Sequence, residues 1–207
     1  MTEHNNFSIK SFGICDYQKI WNEMQQFTEN RQDNTLDEFW VLQHNPVFTL
    51  GLAGKQEHLL FTNHGIPIIN CDRGGQVTYH GPGQLIVYIM LDLKRANLSI
   101  RELVMRIENG VIQYLAKYSI YATGNRDAPG VYVNGNKIAS MGLKVRKGCT
   151  YHGLSFNVAM DTTPFGYINV CGYSGLKVAQ LKEFIQINSI EEVALEVVRC
   201  LTDSVYQ

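Results

Sequence analysis

Cys171 stands in Asn169-Val-Cys-Gly-Tyr-Ser-Gly175, where its sulfur is reachable and the neighbouring Gly172 lets a reacting carbonyl come close to the backbone. This setting suits a nucleophile, because the attacking species is an accessible thiolate. Cys71, Cys149 and Cys200 lie in apolar strand-like or helix-like runs, where an inert buried thiol is the expected state. The five cysteines, at 15, 71, 149, 171 and 200, are odd in number and widely spaced, which argues against a disulfide framework. A cysteine nucleophile also needs a group to take its proton or hold its thiolate. His80, His152 and Lys137 all lie near glycine-rich turns, and spacing alone does not choose among them. A zinc site built from Cys149-x-x-His152 with Cys71 or His80 lacks a second close ligand pair, so no metal is expected.

The segment Arg73-Gly-Gly-Gln-Val-Thr-Tyr-His-Gly-Pro-Gly-Gln84 inserts four glycines between two apolar strands. Glycine allows positive φ and close approach of a ligand to the backbone, so such a loop can wrap a carbonyl or a phosphate. It matches neither G-x-x-x-x-G-K-[ST] nor G-x-G-x-x-G, which weakens a nucleotide reading.

These residues need a frame. Residues 16–31 carry Tyr17, Ile20, Trp21, Met24 and Phe27 at helical spacing. Ser99-Ile-Arg-Glu102 is a capping box opening a helix to about Lys117, and a closing helix is expected over about 190–205. Strands are expected at 39–43, 47–50, 66–70, 85–91 and 152–158. Asn134-Gly135 marks a hairpin between 131–133 and 137–145, so Lys137 opens its second strand. Residues 161–175 read as an irregular loop. The mixture predicts an α+β fold, a mixed and largely antiparallel sheet packed by helices, in a single domain over 1–207.

With 18 basic and 19 acidic residues the net charge is -1, so no global field favours nucleic acid or an anionic membrane. The start, MTEHNNFSIK, lacks the basic and apolar regions of a signal peptide, and the run 85–91 is too short to span a bilayer. The expected location is the cytoplasm.

The blocks RGGQVTYHGPGQ, DAPGVYVNGNKIASMGLKVRKGCTYHGLSFNV and NVCGY, in that order and spacing, resemble the lipoyl(octanoyl) transferases, also called lipoate-protein ligase B, over about residues 35–175. The resemblance implies the core shared with biotin and lipoate protein ligases, with Cys171 as nucleophile and Lys137 as its partner. It implies a substrate loop at Arg73, Gly74, Gly75, Gln76, Val77, Thr78, Tyr79 and His80, and acyl-site segments Ser140-Met141-Gly142 and Gly153-Leu154-Ser155. Two positions depart from the family pattern: Val170 replaces a common proline, expected to loosen the nucleophile loop, and Gln43 replaces a common glutamate, expected to alter a contact near the site.

The implied chemistry moves an octanoyl or lipoyl group from acyl-carrier protein through a Cys171 thioester to a lysine of a lipoyl domain. The acceptors are 2-oxoacid dehydrogenase E2 subunits and the glycine cleavage H protein, and no cofactor or ATP is required. Lys137 as an ammonium favours the Cys171 thiolate, and as an amine it takes the acceptor's proton. Backbone N–H groups around Gly172 or Gly74-Gly75 are expected to hold the oxyanion, with Tyr79, Met141 and Leu154 along the acyl chain. His80 and His152 are expected to support by hydrogen bonding. Arg73, Lys144, Arg146 and Lys147 could meet an acidic carrier protein, although a solvated face is the plainer reading for the last three. The rivals are an ATP-dependent ligase on the same core and a noncatalytic binding protein.

Overall fold

A computed structural model describes residues 7–62, 65–125 and 127–206. The reading of the first ten residues as no signal peptide falls largely on residues 1–6, outside the described residues. The elements are β1 (Phe7–Cys15), α1 (Tyr17–Asn30), β2 (Asp37–His44), β3 (Val47–Leu50), β4 (Ile68–Asn70), β5 (Val77–His80) and β6 (Gln84–Met90). They continue as α2 (Ile100–Ala116), β7 (Thr123–Gly124), β8 (Gly130–Val133), β9 (Asn136–Arg146), β10 (Cys149–Asn157) and α3 (Ile190–Tyr206).

Seven strands form one sheet in the order β1-β2-β6-β10-β9-β8-β7, and three form a second in the order β4-β3-β5. Among the described strands only β1/β2 and β3/β4 pair in parallel, so the architecture is the mixed, largely antiparallel α+β arrangement expected. Three strands went unforeseen: β1, the two-residue β7, and β5, which lies inside the segment expected to be glycine-rich loop. The expected strand at 66–70 shortens to Ile68–Asn70.

The period of two along β6 explains the layering. Leu85, Val87 and Ile89 pack under α2 and α3 with Leu103, Ile107, Val111 and Leu201, whereas Ile86, Tyr88 and Met90 face Ile20 and Met24 of α1. Covered on both faces, β6 is buried throughout. Side chains close all three α-helix starts, Ser189 Oγ accepting from Glu192 N at the start of α3. Asp16 accepts from Lys19 N at 2.9 Å, and Ser99 with Glu102 completes the capping box read from the sequence. No described helix is long and apolar enough to cross a membrane.

Candidate active site

Lys137 Nζ lies 3.0 Å from Cys171 Sγ. The hairpin turn supplies the first half of that contact. Asn134 and Gly135 have φ of 51° and 78°, the left-handed values a tight two-residue turn demands, and they set Lys137 one residue into β9. Its main chain is then fixed by the segment after Cys171: Lys137 N donates to Lys177 O, and Ala179 N donates to Lys137 O, both at 2.9 Å. The Lys137 side chain is buried, with Nζ 5.4 Å from the centre of the Tyr132 ring.

Cys171 supplies the other half from a left-handed conformation, φ 55° and ψ 19°, inside a single 3-10 turn. A non-glycine residue pays about 1–2 kcal/mol there, so the surroundings must hold it. Gly172 N donates to Asn169 O at 2.9 Å, Tyr173 N to Val170 O at 3.0 Å, and Asn169 N to His58 O at 2.9 Å. Val170, expected to loosen the loop, is buried among Phe48, Leu50 and Val77 and anchors it.

Both residues line a cavity of about 380 Å³. Of the expected site residues, Arg73–Thr78, His80, Ser140–Gly142 and Gly153–Ser155 border it. Tyr79 does not. It sits between Thr78 and His80 on β5, so the strand's alternation turns it away from them to pack on Phe48 and Phe165. Of the three residues expected along an acyl chain, Met141 and Leu154 therefore border the cavity and Tyr79 does not.

Arg73 is also corrected as a carrier-facing charge, since only 8% of it is exposed. Its guanidinium donates to Thr49 O, Thr49 Oγ1, Gln76 O and Gly74 O, which braces the glycine loop from within. Gly74 N donates to Leu143 O at 2.9 Å, docking the loop on β9. With Gly172 N bonded to Asn169 O, the N–H groups of Gly74 and Gly172 are both engaged inside the protein. Arg146 and Lys147 each pair with Glu29 on the surface. Gln43 accepts from Gly83 N at 2.8 Å, a contact at the turn before β6.

His80 accepts or donates at both ring nitrogens, 3.3 Å from Thr49 Oγ1 and 2.7 Å from Gln84 Oε1. Gln84 Nε2 donates to Asn157 Oδ1, and Asn157 Nδ2 donates to Ala179 O, the residue that clamps Lys137. Burial, then the nearby His44 and Arg73 charges, hold His80 neutral well below the usual histidine range. His152 Nε2 is 2.9 Å from Asp72 Oδ1, and burial outweighs that carboxylate to lower its pKa too. Burial opposes ionisation of Asp72, but hydrogen bonds from His152 and Tyr151 prevail and keep its carboxyl well below the usual range. Among the described residues no group of three His, Cys, Asp or Glu side chains could hold a metal ion.

Several supporting residues were not singled out in the sequence: Asp72, Thr49, Gln84, Asn157 and Tyr17. Asp72 and Gln84 flank or end the glycine-rich block and could have been weighed with it. Nothing local marks Asn157 or Thr49, whose partners are distant in the chain.

The fold is that of an α+β domain of the lipoate and biotin ligase type. The chain matches the lipoyl protein ligase A/B catalytic domain over residues 16–202 and belongs to that family. Within it, the chain is 58% identical over 174 residues to an octanoyltransferase of Chromobacterium violaceum, covering 84% of each chain. The fold is similar to that of lipoate-protein ligase A bound with ATP, with a TM-score of 0.79 at 16% identity over 96% of this chain and 85% of that one. It is also similar to biotin protein ligase from Aquifex aeolicus, with a TM-score of 0.58 at 13% identity over 96% of this chain and 68% of the other.

Proposed function

We propose that this chain is an octanoyltransferase acting in protein lipoylation, with the whole chain serving as one catalytic domain in the cytoplasm. The observation that carries the reading is the 3.0 Å approach of Lys137 Nζ to Cys171 Sγ on a cavity walled by Met141, Leu143 and Leu154. Relatives named octanoyltransferase at such identity support the reaction class.

In the first step the Cys171 sulfur attacks the carbonyl of an octanoyl thioester on acyl-carrier protein. The new C–S bond forms, the carrier's sulfur leaves and takes the proton that the Cys171 thiol gave up to Lys137, and the acyl group rests on Cys171. One thioester replaces another, so the step is close to isoenergetic and needs no ATP. In the second step the amine of an acceptor lysine attacks the acyl-enzyme. The amide bond forms, the C–S bond breaks, and Lys137 relays the amine's proton to the departing sulfur. Lys137 Nζ, being beside the sulfur, is also placed to hydrogen-bond the tetrahedral oxyanion.

Lipoyl domains are the acceptors. The particular acceptors fitting this role are E2 subunits of 2-oxoacid dehydrogenases and the glycine cleavage H protein.

Intact-protein mass spectrometry after mixing with octanoyl-carrier protein, without ATP, tests the covalent route. An octanoyl adduct on the wild type that is missing from Cys171→Ala is expected. Modification of a lipoyl domain by both proteins with no adduct on either would sink the cysteine route. ATP-dependent modification would favour an adenylating ligase instead.

A further inference from the structure

The cavity extends well past the Lys137–Cys171 pair. Leu143, the partner of His152 across the β9/β10 ladder, is six residues beyond Lys137, roughly 20 Å along the strand at the usual rise. An extended eight-carbon chain spans about 8 Å, taking the backbone's reach of some 3.5 Å per three bonds. Lys137 and His152 both line the cavity, so its His152 end lies at or beyond the tip of an octanoyl chain held on Cys171.

That end is polar. Among the described residues, four buried side-chain atoms lack a hydrogen bond of good geometry: Tyr17 Oη, which has the weakly bonding Cys71 thiol nearby, Thr28 Oγ1, Thr78 Oγ1 and His152 Nδ1. Three of the four residues, Tyr17, Thr78 and His152, line this one cavity. Buried polar atoms are rarely left unpaired, because desolvation then goes uncompensated. Their concentration in one cavity indicates a group to be bound.

The geometry also fixes the sense of the hydrogen bonds. Asp72 accepts from Trp21 Nε1 at 2.8 Å and from the Tyr151 hydroxyl, and it faces His152 Nε2. His152 Nε2 therefore carries the proton and Nδ1 presents a lone pair. The left-handed backbone of His152, φ 59°, lets its ring join Tyr151 at Asp72 instead of alternating to the other face. Trp21 lies 6.3 Å from the Tyr17 ring and 6.5 Å from the His152 ring, which places the phenol and the imidazole at the same end.

We propose that this end of the cavity is a hydroxyl subsite, taking an acyl chain that carries one hydroxyl near its tip. That hydroxyl donates to His152 Nδ1 and accepts from Tyr17 Oη. The inference rests on reading the cavity as the acyl site. A water trapped beneath an unsubstituted chain would offer the same two bonds, and the experiment separates these sources.

The test measures equilibrium binding of octanoate, 8-hydroxyoctanoate, decanoate and 10-hydroxydecanoate to the full chain, with transfer of the matching acyl groups from carrier protein alongside. At one chain length or both, the hydroxylated acid is expected to bind at least as tightly as its parent. Tyr17→Phe retains the ring, and His152→Asn tolerates the left-handed backbone while withdrawing the acceptor. Each is expected to turn the preference tenfold or more toward the parent acid. An apolar slot would instead reject an added hydroxyl by up to about a hundredfold in the wild type, and that result overturns the subsite. So does an unchanged preference in both variants with both acids weakened alike, the trapped-water outcome. Octanoyl transfer with the hydroxylated chains refused sinks the subsite alone; no binding of any acid and no transfer sinks the acyl-cavity reading as well.

Discussion

Gly130 lies beneath the Lys137 side chain, where a Cβ would run into Lys137 Cε and sit 3.1 Å from Nζ. Its own N–H donates to the buried Glu108 Oε1 at 2.8 Å, so the glycine is held from one side and overlaid by the lysine from the other. With φ at 155°, it has little room to yield. Gly130→Ala is therefore expected to push Nζ away from Cys171 and lower kcat/KM for acyl transfer at least tenfold, with a stability loss of about 1–3 kcal/mol. Gly148 is the matched control: its φ is 79° but a Cβ there meets nothing within 4 Å. Gly148→Ala should cost only the left-handed strain, about 1–2 kcal/mol, and leave transfer unchanged. Steady-state rates and urea unfolding on both variants decide this; equal rates would show that Lys137 is not confined by Gly130.

Between elements, a buried polar chain joins β5, β6 and β10 to the segment that clamps Lys137, running His80–Gln84–Asn157–Ala179. Asn157→Leu would strand Gln84 Nε2 of its strongest acceptor and Ala179 O of its side-chain donor. A cost of about 1–3 kcal/mol per stranded group follows. The local effect should be larger than the global one: hydrogen exchange at the Lys137 and Ala179 amides is expected to quicken more than in the α2/α3 core. Uniform acceleration would instead mean that the network merely adds to global stability. This connection also marks where sequence reading stops. The amphipathic stripe of α1, the capping box of α2 and the Asn134-Gly135 turn are local signals, and each element formed where it was read. β5 was hidden because its glycine-rich surroundings looked like loop, and only pairing with β3 makes Val77–His80 a strand. Lys137 and Cys171 were recognisable through the motifs that carry them. The partners of His80 and the Asp72–His152 contact were not, since they depend on sheet register and on a left-handed residue within a strand.

At the scale of the whole molecule, three buried histidines gather where α1 and the two sheets meet. Tyr17 of α1 packs on His44 and His80, and His152 packs on Tyr88, which in turn lies 2.6 Å from His44 Nε2. Burial lowers the pKa of His44 to about 4, and it also lowers His80 and His152 from the usual value near 6.5. The unfolded chain thus takes up protons at these positions that the folded chain refuses. The sign follows directly: stability is full above about pH 6.5 and is lost as the pH falls toward the folded values. A histidine that stays neutral while its unfolded counterpart is protonated contributes a slope of about 1.4 kcal/mol per pH unit, so about 4 is the upper bound for the three together. Asp72, with its carboxyl pKa lowered, withdraws its contribution only below about pH 4, in a separate window. Urea unfolding between pH 7.5 and 4.5 should therefore show little change to pH 6.5 and then a steep fall. In His44→Gln the fall should be shallower by nearly one proton, because one of the three sites no longer titrates. A flat profile, or an undiminished slope in His44→Gln, would mean that this cluster is solvated enough to ionise while folded, and that the junction between the two sheets is wetter than its burial implies.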